Sequence, residues 1–296
     1  MGQITGRVAK ILTLDSLDDA RAPNATETLE AGGLIYLENA AFGLSEREAR
    51  LIANASATLP TRKERKSRNG RPTVIFEPSR GRILHARMKP PERTELENIM
   101  SRFADWATAL VNGLFPNYRG QIERDRTTYR PCERATMQGL HVDASYGRPT
   151  GGCGMLRVFY NVNPHQQARV WRVGETFEAF AQRFVPNATI KPISLAERLL
   201  YRINIIKGKR TLYDHVMEEI RTQAKSNKTY QAECPQKIVG FPPGSAWIAI
   251  TDLVLHGAVS GQHSLDQTFF VPANAMDEPN RSSLKILERL TGRALA

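Results

Sequence analysis

The segment Gln138-Gly-Leu-His-Val-Asp-Ala144 places an imidazole and a carboxylate two residues apart. On a strand, side chains at i and i+2 share a face, so His141 and Asp143 would stand side by side. Far downstream, an apolar run from Trp247 leads into a third candidate, His256, followed by small residues and a turn. Two imidazoles and one carboxylate form the facial triad of non-haem Fe(II) oxygenases, which leaves neighbouring coordination positions open for chemistry. His141, Asp143 and His256 are therefore the candidate metal-ligating and catalytic residues. Taken singly, each has a plainer reading: a hydrogen-bonded His–Asp pair and a satisfied core histidine. The chain order His-x-Asp, strands, His, strand favours the metal.

An oxygenase that uses 2-oxoglutarate needs a cation for that co-substrate's distal carboxylate. One common place is an Arg on the strand after the distal His, but Ser264-Leu-Asp-Gln-Thr-Phe-Phe270 holds neither Arg nor Lys. Gln267 is the polar candidate there. The strand after His-x-Asp offers Arg157 within the otherwise apolar Met155-Leu-Arg-Val-Phe-Tyr-Asn161. A buried Arg needs a partner, and its planar fork grips a carboxylate with two donors. Arg157 is thus the expected anchor; the plain alternative is an intramolecular ion pair. Of the other histidines, His85 and His165 fall in loops, His215 on a charged helix and His263 in a turn.

Local patterns indicate the elements that must position these groups. Ser45-Glu-Arg-Glu48 is a capping box and opens a helix. Apolar residues recur at helical spacing from Glu92 to Leu114. After Pro116 short β-prone runs alternate with Gly and Pro breaks: 125–130, 136–142, 155–162, 169–173, 237–241, 246–251 and 267–271. Predicted helices interrupt them at about 175–225, and 282–295 reads as a C-terminal helix. The expected class is α+β: a double-stranded β-helix, a jelly-roll or cupin-like sandwich, buttressed by helices and carrying that helical insert. Residues 1–33 read as a mobile N-terminal arm and 34–296 as a single dioxygenase-like domain.

Lys and Arg total 41 against 30 Asp and Glu, a formal charge of +11, which suits an anionic partner. Three cysteines without a CxxC pair argue against a disulfide framework or a Cys-based zinc site. With no signal-like or membrane-spanning apolar run, the expectation is a soluble protein of a reducing compartment. The run 61–71 carries six basic residues and one acidic residue, and reads either as a solvated loop or as an anion contact.

Several blocks together carry a resemblance: Thr128-Tyr-Arg-Pro131, Leu140-His-Val-Asp143, Arg148-Pro-Thr150, Leu156-Arg-Val-Phe159, Asn161-Val-Asn-Pro164, Arg169-Val-Trp-Arg-Val-Gly-Glu175, Tyr213-Asp-His215 and Gln267-Thr-Phe269. In this order they resemble the bacterial Kdo hydroxylase family from about Gly33 to Leu295. The resemblance implies an enzyme dependent on Fe(II), 2-oxoglutarate and dioxygen, with iron on His141, Asp143 and His256. It implies hydroxylation of carbon 3 of Kdo, giving Ko, in the Kdo-lipid A inner core of lipopolysaccharide. The partners would be a Kdo-containing lipid A precursor and the anionic inner-membrane surface, met peripherally from the cytoplasm. Arg130, Arg148, Arg169 and Arg172 are the candidates for contact with that substrate. No nucleic acid is expected, and a homo-oligomer is compatible with the sequence. Ser145-Tyr146 and the stretch after His215 depart from the family pattern, which bears on the acceptor. An oxygenase acting on another anionic substrate, protein or nucleic acid, and a non-catalytic basic β-sandwich module are the competing readings.

Overall fold

The computed structural model describes residues 7–15, 24–58, 73–84, 88–132, 139–144, 147–189, 199, 201–203 and 209–296. In chain order the strands are β1 (Ile11–Leu14), β2 (Leu34–Leu37), β3 (Val74–Glu77), β4 (Arg82–Leu84), β5 (Glu123–Arg130), β6 (Gly154–Asn161), β7 (Arg169–Thr176), β8 (Lys237–Phe241), β9 (Ala246–Ile250), β10 (Val254–Ser260) and β11 (Ser264–Val271). Eight of them form one sheet in the order β1-β2-β9-β6-β11-β5-β3-β4, and β10-β7-β8 form a second. All pairings are antiparallel except β1 with β2.

The two faces of the large sheet have different partners, and side-chain alternation assigns each residue to one of them. On β6, Leu156, Val158 and Tyr160 join the main core with Ile99, Met100 and Phe103 of α3 (Pro90–Leu114). Phe159 faces the other way and packs in the second core with Trp171, Phe241 and Trp247 from both sheets. Trp247 stacks between Phe159 and Phe241 at centroid distances of 5.2 and 4.1 Å. Arg157 shares the parity of Phe159, so it enters the space between the sheets.

The helices follow their sequence signals. Before α2 (Glu46–Thr58), the Ser45 amide donates to Glu48 Oε2 at 2.7 Å, and the Glu48 amide donates back to Ser45 Oγ at 3.3 Å. The insert contains α4 (Phe177–Phe184), then α5 (Leu212–Ser226), capped reciprocally by Thr211 and Asp214, and α6 (Lys228–Glu233). α7 (Ser283–Thr291) closes the chain against α4.

Two expectations need correction. Residues 7–15 and 24–33 are not an arm. β1 extends the large sheet beside β2, and the short helix α1 (Ala25–Glu30) buries Leu29 and Glu30. Four-residue edge strands carry too little alternation to stand out in a sequence. The expected strand at 136–142 is described only in part. Residues 136–138 lie outside the described residues, and within 139–142 only His141 makes a bridge.

Candidate metal centre

β9 ends at Ile250 in the large sheet, the chain turns through Thr251–Leu253, and β10 begins in the small sheet. His256 therefore sits where the two sheets approach. Its backbone pairs with His141 in both directions, at 2.9 and 3.0 Å. The His141 segment thus occupies the place of a fourth strand beside β10, through one bridge. The Asp143 amide donates to Thr251 O at 3.0 Å, which fixes the carboxylate across the same turn.

The side chains converge. The donor atoms of His141, Asp143 and His256 all lie within 4.8 Å of one another. His141 Nε2 is 3.7 Å from Asp143 Oδ1, and His256 Nε2 is 3.9 Å from Asp143 Oδ2. Each imidazole has its Nδ1 on a backbone carbonyl, Gly139 O at 2.8 Å and Val254 O at 3.2 Å. A carbonyl only accepts, so each Nδ1 carries the proton and each Nε2 keeps its lone pair. Trp171 stacks on His256 at 5.0 Å and holds its plane.

The electrostatics suit a divalent cation. Burial pushes His141 down to about 3, helped by the nearby His256, and burial also lowers His256. Both rings are therefore neutral at neutral pH, the form that ligates. Burial alone would raise the Asp143 carboxyl, but His256, Arg157 and His141 outweigh it and hold it well below the usual carboxylate range. Two neutral nitrogens and one carboxylate fit a non-haem iron, with no donor left to invent.

Two cavities flank the triad. A smaller chamber of about 90 Å³ contains all three side chains with Arg130, Arg157, Arg169, Trp171 and Ser264. A wider cavity of about 250 Å³ opens beside it, lined by Arg126, Arg130, Arg148, Thr128 and Thr268 among others. Arg130, Asp143 and Arg157 line both, so they form the partition.

The remaining expected site residues divide. Arg157 is largely buried, and its fork is occupied: Nη1 donates to Asp143 Oδ2 at 2.9 Å and Nη2 to Asp266 Oδ1. It lies 4.8 Å over the Phe159 ring. Its placement is thus an intramolecular ion pair at the metal centre rather than an uncommitted anchor. Gln267 is on the wrong face: it shares the parity of Leu265 and Phe269, which join the helix-side core. Its amide is satisfied by Thr127 Oγ1 at 2.6 Å and the carbonyls of Asp125 and Thr268. Arg172 likewise points away from the chamber, donating to Gln236 Oε1 and Gln231 O. Arg130, Arg148 and Arg169 do line the cavities; Arg148 pairs with Asp125, and Arg169 donates to Gly261 O.

The sequence reading passed over Asp266 and Arg126. Asp266 alternates with Gln267 on β11 and stands opposite Phe159 of β6. Arg126 shares the parity of Thr128 and Arg130 on β5, a period-2 signal that was available.

A family model described as 3-deoxy-D-manno-oct-2-ulosonic acid (Kdo) hydroxylase matches residues 15–294. Crystal structures of the Kdo hydroxylase KdoO, described as a non-haem Fe(II) α-ketoglutarate-dependent dioxygenase, are similar throughout. The complex with α-ketoglutarate and Fe(III) is 32% identical, covers 97% of each chain and gives a TM-score of 0.86. The complex with succinate and Fe(III) and the complex with cobalt(II) are each 32% identical, with 96% of this chain and 97% of that chain covered and TM-scores of 0.85. A search of curated protein sequences gave no match.

Proposed function

We propose that this chain, which belongs to the Kdo hydroxylase family, is an Fe(II)- and 2-oxoglutarate-dependent hydroxylase of Kdo. One observation carries the reading: His141, Asp143 and His256 converge in a chamber that also holds Arg130, Arg157 and Arg169. Iron bound there, with 2-oxoglutarate and dioxygen as co-substrates, would supply the oxidising chemistry. The chain supplies ligation, orientation and a water-poor enclosure.

Arg169, on the strand beside His256, takes over from Arg157 as the candidate for the distal carboxylate of 2-oxoglutarate. Ser264 shares that chamber and offers a hydroxyl. The wider cavity suits the acceptor. Kdo carries a carboxylate, and Arg126, Arg130 and Arg148 surround the space next to Asp143. The reading extends to carbon 3 of Kdo, converted to Ko on the lipid A inner core, on the strength of the family resemblance.

Such an acceptor lies at a membrane. No helix among the described residues is long and apolar enough to cross one. Peripheral contact is the remaining mode, supported by the formal charge of +11 and by the exposed Leu199, Tyr201 and Ile203. The basic run 61–71 lies outside the described residues.

An anaerobic titration tests the centre. Fe(II) and 2-oxoglutarate added to the purified chain should give the weak visible charge-transfer band of the chelate, and His141→Ala should abolish it. In air, succinate release should rise when a Kdo-bearing acceptor is added. A band without that stimulation would point to another acceptor; no band in folded protein would remove the oxygenase reading.

A further inference from the structure

Asp266 is fully buried at 0% exposure, against two of the side chains that separate the cavities, Arg130 and Arg157. Its two oxygens go to two different guanidiniums: Oδ1 accepts from Arg157 Nη2, and Oδ2 accepts from Arg130 Nε at 3.0 Å. Through its other nitrogen Arg157 reaches Asp143 Oδ2 at 2.9 Å. The three side chains make a chain, Asp266–Arg157–Asp143, that ends on the metal-ligating candidate. Thr128 of β5 and Phe159 of β6 flank Asp266 in register, and the Phe159 ring lies beneath the guanidinium. Arg157 therefore has one carboxylate on each side and an aromatic face below.

We propose that Asp266 is a positioning residue for metal binding: it holds the Arg157 fork so that Asp143 commits Oδ2 to Arg157 and keeps Oδ1 on the side of His141. The inference rests on the reading of His141, Asp143 and His256 as the metal ligands. A carboxylate left to rotate offers a metal either oxygen or both. One whose second oxygen is fixed by a guanidinium offers one oxygen in one orientation. Groups of this kind around metal ligands typically change affinity by about 10–100-fold when removed. Lys could not replace Arg157, because a single ammonium cannot span two carboxylates with a planar fork. Asp266 also fixes Arg130, so the same carboxylate sets a cation that faces both cavities.

The test uses cobalt(II) alone, titrated calorimetrically into the metal-free full chain, with the visible spectrum of bound cobalt recorded alongside. Asp266→Asn keeps the shape and removes the charge. It should weaken cobalt binding by about tenfold or more and alter the spectrum, with the apo-protein still folded by circular dichroism. Arg157→Gln should do the same. The double variant should bind no more weakly than either single, because Asp266 acts through Arg157. A merely structural Asp266 would give additive losses and an unchanged spectrum, and either result overturns the proposal. If Asp266→Asn does not fold, Arg157→Lys decides: weakened cobalt binding supports the fork, and parental affinity overturns it. A parent chain that takes up no cobalt overturns the metal reading and the positioning role together. Parental binding with an unaffected Asp266→Asn overturns only the positioning role.

Discussion

A buried histidine can ligate a metal only while it is neutral, and it can be aimed only if its other nitrogen is tied down. His141 and His256 meet both conditions through burial and through carbonyls two residues back. His141→Ala or His256→Ala should abolish Fe(II) uptake and turnover, read by iron titration and succinate release; parental activity in either would remove the assignment. These ligands were legible because types, spacing and order are properties of the chain itself. Gln267 and Arg172 were misplaced because each sits one residue out of phase with the cavity-facing side of its strand, and a one-residue offset exchanges faces. A third buried histidine adds to the pH response. His263, at φ +56°, is buried with Nδ1 on Tyr129 OH at 2.9 Å, and burial, aided by His165, lowers it to about 4. The unfolded chain takes up a proton near the ordinary value, about 6.5, whereas the folded chain resists down to about 4. Stability should therefore fall as pH drops through that interval. Asn tolerates the left-handed backbone, so His263→Asn should lessen the slope of thermal midpoint against pH there, His141 and His256 keeping the remainder; an unchanged slope would contradict the assignment.

At the scale of elements, the site depends on turns that bring β10 beside β7. Gly261, at φ +96°, joins β10 to β11, and an added Cβ would come within 2.7 Å of Ala168 O and 2.9 Å of Arg169 Cα. Neither atom can retreat without moving β7. Gly261→Ala should cost about 1–3 kcal/mol by denaturant unfolding and raise the 2-oxoglutarate requirement by displacing Arg169. A stable variant with the parental requirement would show that Arg169 is not held by this turn. The helices were readable from caps and 3.6-residue periodicity, as α2 and α3 show. The strands after Pro116 were readable from their apolar runs and breaks. The N-terminal strand and the single His141 bridge were not, because what makes them part of a sheet is the neighbour they pair with. The insert was legible as helical, and α6 carries it past the expected end to Glu233.

For the whole molecule, the excess of Arg and Lys has two outlets. Some of it is internal: Arg126, Arg130, Arg148 and Arg157 line the wider cavity beside the triad. Burial lowers Arg126, and Arg148 adds to it against Asp125 and Asp266, which marks a cation short of solvation. An anion entering there would offset that loss of solvation. Others are exposed, Arg47 and Arg50 among them, and each cation near an anionic leaflet contributes about 1 kcal/mol at most and is screened by salt. Binding to anionic vesicles should therefore weaken steadily as salt rises. Replacing exposed Leu199 and Ile203 by Asp should weaken it further, by roughly tenfold, while cobalt affinity stays parental. Salt-independent binding that survives both changes would place the contact elsewhere.

Hydroxylation of Kdo in this chamber is what the geometry and the family lead to. Incubation of the purified chain with Fe(II), 2-oxoglutarate, isotopically labelled dioxygen and Kdo-lipid A, followed by mass spectrometry, tests it most directly. One labelled oxygen atom should be added to the Kdo residue and succinate should form in equal amount, and neither should appear with His256→Ala. Intact Kdo recovered unlabelled, from protein that binds iron and 2-oxoglutarate, would contradict it.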